Sequence, residues 1–173
     1  MKSIFKYLAI AAMGIALTGL VACEPDPEPE PEPTPDPGNY TESSTFSLKY
    51  KNNAVAAGDT IVYVHTTGLP MVDFYIVNKT QENHNAFVKV EKLEGPSSMN
   101  SMGFCTDVCD NFTCPFVAPK PSRPFTIPAG NSGYFDLQIL NNVESGTVAL
   151  YRLTIGSGQE LEDPQVVFLK ITI

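Results

Sequence analysis

Apolar and polar residues alternate with a period of two along most of the chain from Asn39 onward. This alternation is typical of β-strands with one buried face. No window of ten or more residues shows the three- and four-residue spacing of an amphipathic helix. The positions predicted to face inward are Phe46, Leu48, Tyr50, Val72, Phe74, Ile76, Val88, Val90, Phe135, Leu137, Ile139, Val167, Leu169, Ile171 and Ile173.

The alternating segments predict seven or eight short strands separated by Gly, Pro and Asn. They read TFSLKYK, TIVYVHT, MVDFYIVNKT, AFVKVEKL, MNSMGFC, FTIPAGNSGYFDLQIL, GTVALYRLTI and QVVFLKITI. The turns between them are too short for parallel crossovers, which usually need a dozen residues or more. The pattern therefore predicts an all-β protein, an antiparallel β-sandwich over residues 39–173.

Residues 1–22 read as a secretory signal rather than as part of the fold. Lys2 and Lys6 precede an apolar run from Tyr7 to Leu17, which is shorter than the roughly 20 residues of a membrane-spanning helix. The following LVAC resembles the lipobox of bacterial lipoproteins. That resemblance implies cleavage before Cys23 and attachment of lipid to it, so the mature protein is expected to be anchored to a membrane by lipid.

Residues 23–38 are expected to form an extended stalk. Proline occupies every second position from Pro25 to Pro37, which disfavours both helix and sheet, and most residues between the prolines are acidic. An acidic stretch directly after the lipidated cysteine resembles the surface-export signal of Bacteroidetes lipoproteins. The resemblance implies a location on the outer membrane facing the cell exterior.

The charge of the chain argues against a nucleic-acid partner. The formal net charge is −8, and the region from Asn39 onward carries nine basic and thirteen acidic residues. Binding to a phosphate backbone needs a basic cluster that neutralises several phosphates. No such cluster occurs in the sequence.

The predicted domain resembles the immunoglobulin-like domains of secreted Bacteroidetes proteins. The segments that carry the resemblance are FYIVNKT…FVKVEKLEGP, FTIPAGNSGYFDLQI, GTVALYRLTI and VVFLKITI. The resemblance implies the sandwich and no particular activity, because this fold carries many unrelated functions.

No arrangement of residues predicts catalysis, a cofactor or a metal site. The serines in GPSSM, GNSGY and GSGQE lie in predicted turns, not between a buried strand and a helix. His65 and His84 have no neighbouring ligand residues at the spacing of a metal site. The carboxylates in GSGQELEDP lack the regular spacing of a calcium loop. We expect a protein that is not an enzyme.

Three cysteines, Cys105, Cys109 and Cys114, lie within ten positions in GFCTDVCDNFTCP. Their spacing lacks the C-x2-C pairs of zinc and thioredoxin-like sites, so a structural disulfide is expected. If Cys23 carries lipid, only one pair can form. FC…CP resembles the cysteine loop of related Bacteroidetes sandwiches, which implies a pairing of Cys105 with Cys114. The residues alone leave the other two pairings open.

The loop around these cysteines is the predicted binding surface. DNFTCPFVAPKPSRPF contains several prolines, and Phe112, Phe116, Lys120 and Arg123 supply groups for contact. A rigid loop loses little entropy on binding.

Aromatic residues opposite the predicted core offer a second candidate surface. Either they form an exposed platform or they pack under loops and against the second sheet. These residues are Tyr63, Tyr75, Phe87, Tyr134 and Phe168.

The sequence therefore favours a lipid-anchored cell-surface domain that binds a protein or a glycan. The alternatives are a structural accessory subunit of an outer-membrane assembly and a small carbohydrate-binding module.

Overall fold

Backbone hydrogen bonds pair the strands into two sheets that enclose one apolar core. The structure, a computed structural model, describes residues 38–100, 102–106 and 124–173. These residues form ten strands and one 3₁₀ turn at Ser97–Asn100. The strands are β1 Phe46–Tyr50, β2 Asn53–Val55, β3 Thr60–Val64, β4 Met71–Asn78, β5 His84–Glu94, β6 Met102–Thr106, β7 Phe125–Ile127, β8 Ser132–Ile139, β9 Val148–Ser157 and β10 Glu162–Thr172.

The strand order of the two sheets is that of a two-layer sandwich. The first sheet has the order β2-β1-β4-β8-β6, and the second has the order β3-β10-β9-β5-β7. All pairings between these strands are antiparallel except that of β3 with β10. The all-β sandwich predicted from the alternating pattern is confirmed.

The core lies between the inner faces of the two sheets. Every residue predicted to face inward is buried except Tyr50 and Ile173, which are partly buried and pack against the core. Within the first sheet, the stacked rings of Phe74 and Phe135 lie 4.9 Å apart between centroids. Burial of these side chains is the main stabilising contribution, roughly 1.5–3 kcal/mol for each large one.

The strand count exceeds the predicted seven or eight for two reasons. Strand β2 was not predicted, since three residues are too few to show alternation, and the predicted segment FTIPAGNSGYFDLQIL forms two strands, β7 and β8. The strand predicted at AFVKVEKL is also longer than expected, since β5 begins at His84.

Strand β3 differs from expectation in two ways. It pairs in parallel with β10, which is possible without a crossover helix because the two strands are more than 100 residues apart in sequence. It also turns Tyr63 toward the core and leaves Val62 and Val64 exposed. All three side chains are apolar, so alternation does not select a face. The register with β10, which places Tyr63 opposite Ile171, selects it.

The two ends of the sandwich differ in the chain segments and strand ends that lie there. At the N-terminal pole, the residues before β1 contact the start of β10, where Asp163 accepts hydrogen bonds from Ser43 and Ser44. At the other end, here called the cleft pole, β1, β3, β8 and β10 end and β4, β6 and β9 begin. The described parts of the chain contain no helix long and apolar enough to cross a membrane.

Candidate functional site

A cleft of about 280 Å³ opens at the cleft pole. The end of β1, the turn after it, the end of β3 and the start of β4 form its walls. The lining residues are Tyr50, Lys51, Asn52, Tyr63, Met71, Val72, Asp73 and Tyr75. Three of these eight residues are tyrosines, so the cleft offers aromatic faces together with amide, ammonium and carboxylate groups.

The polar rim of the cleft is built by the tight turn between β1 and β2. Tyr50 pairs with Asn53, so only Lys51 and Asn52 form the loop, and both have positive φ, 48° and 66°. Two left-handed residues in a two-residue hairpin loop correspond to a type I′ turn, whose twist matches that of the strands. The Lys51 ammonium lies 5.1 Å from the centre of the Tyr50 ring, within the range of a cation–π interaction.

The hydroxyl group of Tyr50 is buried and has no hydrogen-bond partner among the described residues. The ring itself packs against Phe74, with 5.7 Å between centroids. A buried polar group without a partner costs roughly 1–3 kcal/mol unless water or a ligand satisfies it. Tyr50 is therefore a wall residue of the cleft whose hydroxyl group is closed off from solvent.

The opposite wall of the cleft carries Tyr63. Its ring stacks with that of His65 at 6.4 Å between centroids. The Tyr63 hydroxyl lies 3.5 Å from Nδ1 of His65, a long contact that holds the two side chains together only weakly.

The outer face of the first sheet continues from the cleft through a second pair of tyrosines. Tyr75 on β4 and Tyr134 on β8 are directly opposed, with an edge-to-face arrangement at 5.6 Å between ring centroids. Tyr75 is 41% exposed. This side of the sheet therefore presents an accessible aromatic ring beside the cleft.

The hydroxyl of Tyr134 lies between two carboxylates that are directly opposed across β4 and β8. It is 2.8 Å from Oδ1 of Asp73 and 3.0 Å from Oδ2 of Asp136. Burial and the hydrogen bonds to Asp73 and Asp136 raise the pKa of the Tyr134 phenol, so it stays protonated at neutral pH. Gln138 donates to the other oxygen of Asp136 at 3.0 Å. The hydrogen bonds of Tyr134 and Gln138 offset the repulsion between the carboxylates of Asp73 and Asp136.

Exposed apolar side chains of the described residues are concentrated at the cleft pole. Leu69, in the connection between β3 and β4, is the most exposed of them, at 72%. The others at this end are Val64, Met71, Leu93, Leu140 and Val148. An apolar surface of this kind, beside a polar cleft, is typical of an interaction site.

Only some of the predicted site residues lie in the part of the chain that the structure describes. Cys23, Cys109 and Cys114 lie outside the described residues, as does the predicted binding loop with Phe112, Phe116, Lys120 and Arg123. Cys105 is partly buried in β6, opposite Asp136 of β8.

The structure places the five aromatic residues of the predicted platform in different environments. Phe87 and Phe168 are buried, and Tyr63 turns to the core side. Tyr75 and Tyr134 remain on the outer face of the first sheet. Phe168 is buried because the ring of Tyr40 packs against it edge-to-face at 5.4 Å.

Sequence reasoning missed the cleft itself. The sequence contained one signal for the turn at its rim. Lys51 and Asn52 lie between two strands, β1 and the short β2, as in a two-residue hairpin turn. The approach of that turn to Tyr63 and Met71 has no local signal. In the part of the chain that the structure describes, no three His, Cys, Asp or Glu side chains converge in a way that could hold a metal ion.

Comparison with known proteins identifies similar folds and no relatives by sequence. No protein-family model matches the chain, and no curated protein sequence matches it. The N-terminal domain of PorA superposes with a TM-score of 0.53 at 11% identity, over 73% of this chain and 96% of that domain.

Two weaker structural likenesses involve longer proteins. The periplasmic chaperone SfaE has a TM-score of 0.43 at 9% identity, over 73% of this chain and 56% of its own. A family 123 glycoside hydrolase from Clostridium perfringens has a TM-score of 0.43 at 12% identity, over 66% of this chain and 22% of its own. At such low identity, similarity to the PorA domain supports the fold alone. The chain has an immunoglobulin-like β-sandwich fold.

Proposed function

We propose that this protein is a lipid-anchored surface domain, not an enzyme, that binds a partner through the cleft pole. The observation that carries the proposal is the placement of the cleft and the exposed apolar side chains at one end of the sandwich. Surface loops and strand ends on a rigid scaffold are common places for binding residues.

The N-terminal segment contacts the end of the sandwich opposite the cleft. Ser43 and Ser44 are bonded there to Asp163, after Tyr40 packs on Phe168 farther along β10. Strand β10 runs from there to the cleft pole over eleven residues, about 36 Å at roughly 3.3 Å per residue. A tether at Cys23 followed by an extended stalk would hold the domain away from the membrane and leave the cleft pole accessible to a partner.

The finer parts of the proposal come from the sequence. We propose that Cys23 is lipidated, that the acidic stalk directs the protein to the exterior of a Bacteroidetes outer membrane, and that Cys105 forms a disulfide with Cys114. A loop of about ten residues closed in this way would add roughly 2–3 kcal/mol of stability in the chain-entropy description. The loop that contains Phe112 and Phe116 would then be a second, stiffened contact surface.

A role as an accessory subunit is a second candidate, favoured by strand β3. In the described residues, β3 is an edge strand of its sheet and pairs only with β10. Its residues Val62 and Val64 are 58% and 60% exposed to solvent. An edge strand with apolar outer residues can add a strand from another protein.

The proposal is tested by measuring adhesion of the purified protein to panels of extracellular-matrix proteins and immobilised polysaccharides. We expect saturable binding to at least one surface. Combined Leu69→Ser and Met71→Ser substitutions should weaken it at least tenfold, because both side chains are exposed beside the cleft. Glu82→Ala, an exposed change near the N-terminal pole, is the matched control and should bind like the parent. Absence of saturable binding on every surface, or equal loss in both variants, would contradict the proposal.

A further inference from the structure

We propose that strand β3 pairs with β3 of a second copy of this chain, antiparallel and about a two-fold axis at Val62. The inference goes beyond the proposed function, since it concerns an edge of the second sheet and requires neither the cleft nor the lipid. It depends on the free backbone groups of β3, on the residues that the pairing places opposite one another, and on the composition of the strand.

Backbone hydrogen bonds at the two ends of β3 show which of its residues face β10. The carbonyl oxygen of Asp59 accepts from the N–H of Phe168, and the N–H of His65 donates to the carbonyl oxygen of Thr172, both at 2.8 Å. Because the backbone groups of successive strand residues point to opposite sides, the odd-numbered residues from 59 to 65 face β10 and the even-numbered ones face away from it. The N–H and C=O groups that line the open edge belong to Thr60, Val62 and Val64, and the described part of the chain places no strand beside them.

A two-fold axis at Val62 pairs all of these free backbone groups. Val62 then lies opposite Val62 of the second copy, and Thr60 of each copy lies opposite Val64 of the other. In an antiparallel ladder, residues opposed in this way exchange both of their backbone hydrogen bonds. A slip of two residues in either direction removes one of the three residues from the pairing. The open edge is therefore complementary to itself in one register, which gives a closed dimer.

The same register places compatible side chains opposite one another. On the outer face, Val62 meets its own copy and Thr60 meets Val64. On the side that faces the core, Ile61 meets Tyr63 of the second copy, and such aromatic and β-branched pairs stabilise antiparallel sheets. Among the described residues, Val62 and Val64 are the most exposed large apolar side chains after Leu69. The dimer covers both.

The residues that flank β3 also match. Asp59 of one copy lies opposite His65 of the other, at both ends of the paired segment. The carboxylate of Asp59 accepts from the N–H of Ala56 through Oδ2 at 3.1 Å, and the imidazole has an N–H group that can donate to the other oxygen. A slip of two residues would place Asp59 opposite Tyr63 or Thr67 instead. No like charges meet in the proposed register, where they would weaken the pairing.

The composition of β3 does not protect it from pairing with another strand. Its five residues, TIVYV, include no charged residue, proline or glycine, which are common protections of an edge strand. Two other edge strands, β2 and β7, have only three residues each, and such shortness is itself a protection. A two-fold partner satisfies the edge of β3 and prevents further strands from adding to it. Five residues from each copy make a small interface, so we expect a weak dimer in solution.

Cysteine cross-linking of the purified full-length protein tests the register. Val62→Cys and Val64→Cys place a thiol on the same face of the same strand at similar exposure. In the dimer, the two copies of residue 62 are about 5.5 Å apart between Cα atoms. The two copies of residue 64 are offset by four residues along the strand, roughly 13 Å. A short bifunctional thiol reagent should therefore link Val62→Cys at least tenfold faster than Val64→Cys, the matched control, with the parent and its four cysteines as the background.

Sedimentation velocity over a range of concentrations measures the association itself. The fraction of dimer should rise with the concentration of the parent. Val62→Lys should weaken the association at least tenfold, because it places two like charges directly opposite each other. Val148→Lys, the same change at an exposed position of β9, is the control and should associate like the parent. Both variants should keep the parent's thermal midpoint at low concentration, since both positions are exposed.

The inference is overturned if the parent stays monomeric at every concentration, if Val62→Lys associates like the parent, or if Val62→Cys is linked no faster than Val64→Cys. Its failure is distinguishable from failure of the proposed function. A monomer that adheres to matrix proteins through Leu69 and Met71 would retain the proposed function and lose this inference, and a dimer that adheres to no surface would do the reverse.

Discussion

Asp163 fastens the N-terminal segment to the sandwich. Its carboxylate accepts hydrogen bonds from the backbone N–H groups of Ser44 and Thr45, at 3.1 and 2.8 Å, and from the hydroxyl groups of Ser43 and Ser44, at 3.0 and 2.8 Å. Burial alone would raise the pKa of this carboxyl. The hydrogen bonds from Ser44 and Thr45 outweigh that effect and hold the pKa well below its usual value.

We predict that Asp163→Ala lowers the free energy of unfolding by about 1 kcal/mol, since the bonds are exposed and compete with water. A carboxyl whose pKa is lower in the folded state stabilises the fold at pH values above its unfolded pKa, roughly 3.9. That stabilisation disappears as the pH falls through the folded-state pKa. The measurement is urea unfolding of the parent and Asp163→Asn from pH 7 to pH 2.

The stability difference between the parent and Asp163→Asn should be constant above pH 5 and shrink below pH 4. Glu162→Gln, the same chemical change at the adjacent exposed position, is the control and should stay within about 0.5 kcal/mol of the parent. A difference that grows toward low pH would contradict the assignment.

At the scale of the elements, Asn78 joins the two sheets at the N-terminal pole. The side chain is fully buried at the end of β4. Its amide nitrogen donates to the carbonyl oxygens of Glu82 at 2.7 Å and of Ile127, the last residue of β7, at 3.0 Å. Its oxygen accepts from the backbone and the hydroxyl of Thr80. One amide therefore connects a strand of the first sheet to a strand of the second.

We predict that Asn78→Asp destabilises the protein by about 3–5 kcal/mol at pH 7, because it replaces the donor with a buried charge that faces carbonyl oxygens. The loss should become smaller at low pH, when the new carboxyl is protonated and can donate one bond. The measurement is chemical unfolding at pH 7 and pH 4.

Asn85→Asp provides the matched control for this change. Asn85 is exposed, and its oxygen accepts from the Thr126 hydroxyl at 2.7 Å, a role that a carboxylate can keep. Its unfolding free energy should stay within about 0.5 kcal/mol of the parent. Equal effects of the two substitutions would show that Asn78 does not join the sheets as described.

At the scale of the whole molecule, the proposed function requires the domain to be tethered with its cleft pole accessible. Within the described residues, the cleft lies at the end of the sandwich opposite the contacts of Ser43 and Ser44 with Asp163. The lipid and the stalk are sequence-based proposals that need their own test.

We predict that protease added to intact cells cleaves the protein, because exposed termini and loops of a domain on the cell exterior are accessible to it. Labelling with an alkyne fatty acid should mark the parent and fail to mark Cys23→Ala, which should also resist the protease in intact cells. Labelled protein that remains fully protected in intact cells would contradict exposure on the exterior.

The same exported protein offers a check of the cysteine proposal. Peptide mapping without reductant should find Cys105 linked to Cys114 and a free thiol at Cys109. Three free thiols would contradict the structural disulfide, and a different pair would correct its connectivity.

The fold was predictable because the alternation of apolar and polar residues within a long strand shows which face of that strand is buried. In β8, the apolar residues Phe135, Leu137 and Ile139 alternate with more polar ones, so the buried face can be identified from the sequence alone. The same reasoning fails for β3, whose consecutive apolar residues fit either face. It also fails for β2, which is too short to show a period, and it did not separate β7 from β8.

The candidate site was less predictable for a different reason. The cleft joins residues 50–52, 63, 71–73 and 75, and no local pattern specifies that the turn after β1 will approach the end of β3. The predicted binding loop, with Lys120 and Arg123, lies outside the described residues and stays a prediction.

The sequence by itself determined the class of the fold, the inner face of each alternating strand and the expectation of an exported, tethered protein. These follow from periodicity and composition, which act locally along the chain. Only the tertiary structure decided the parallel pairing of β3 with β10, the burial of Phe87 and Phe168, and the gathering of three tyrosines around one cleft. Those features depend on strand register and on contacts between residues far apart in sequence, which local alternation does not encode.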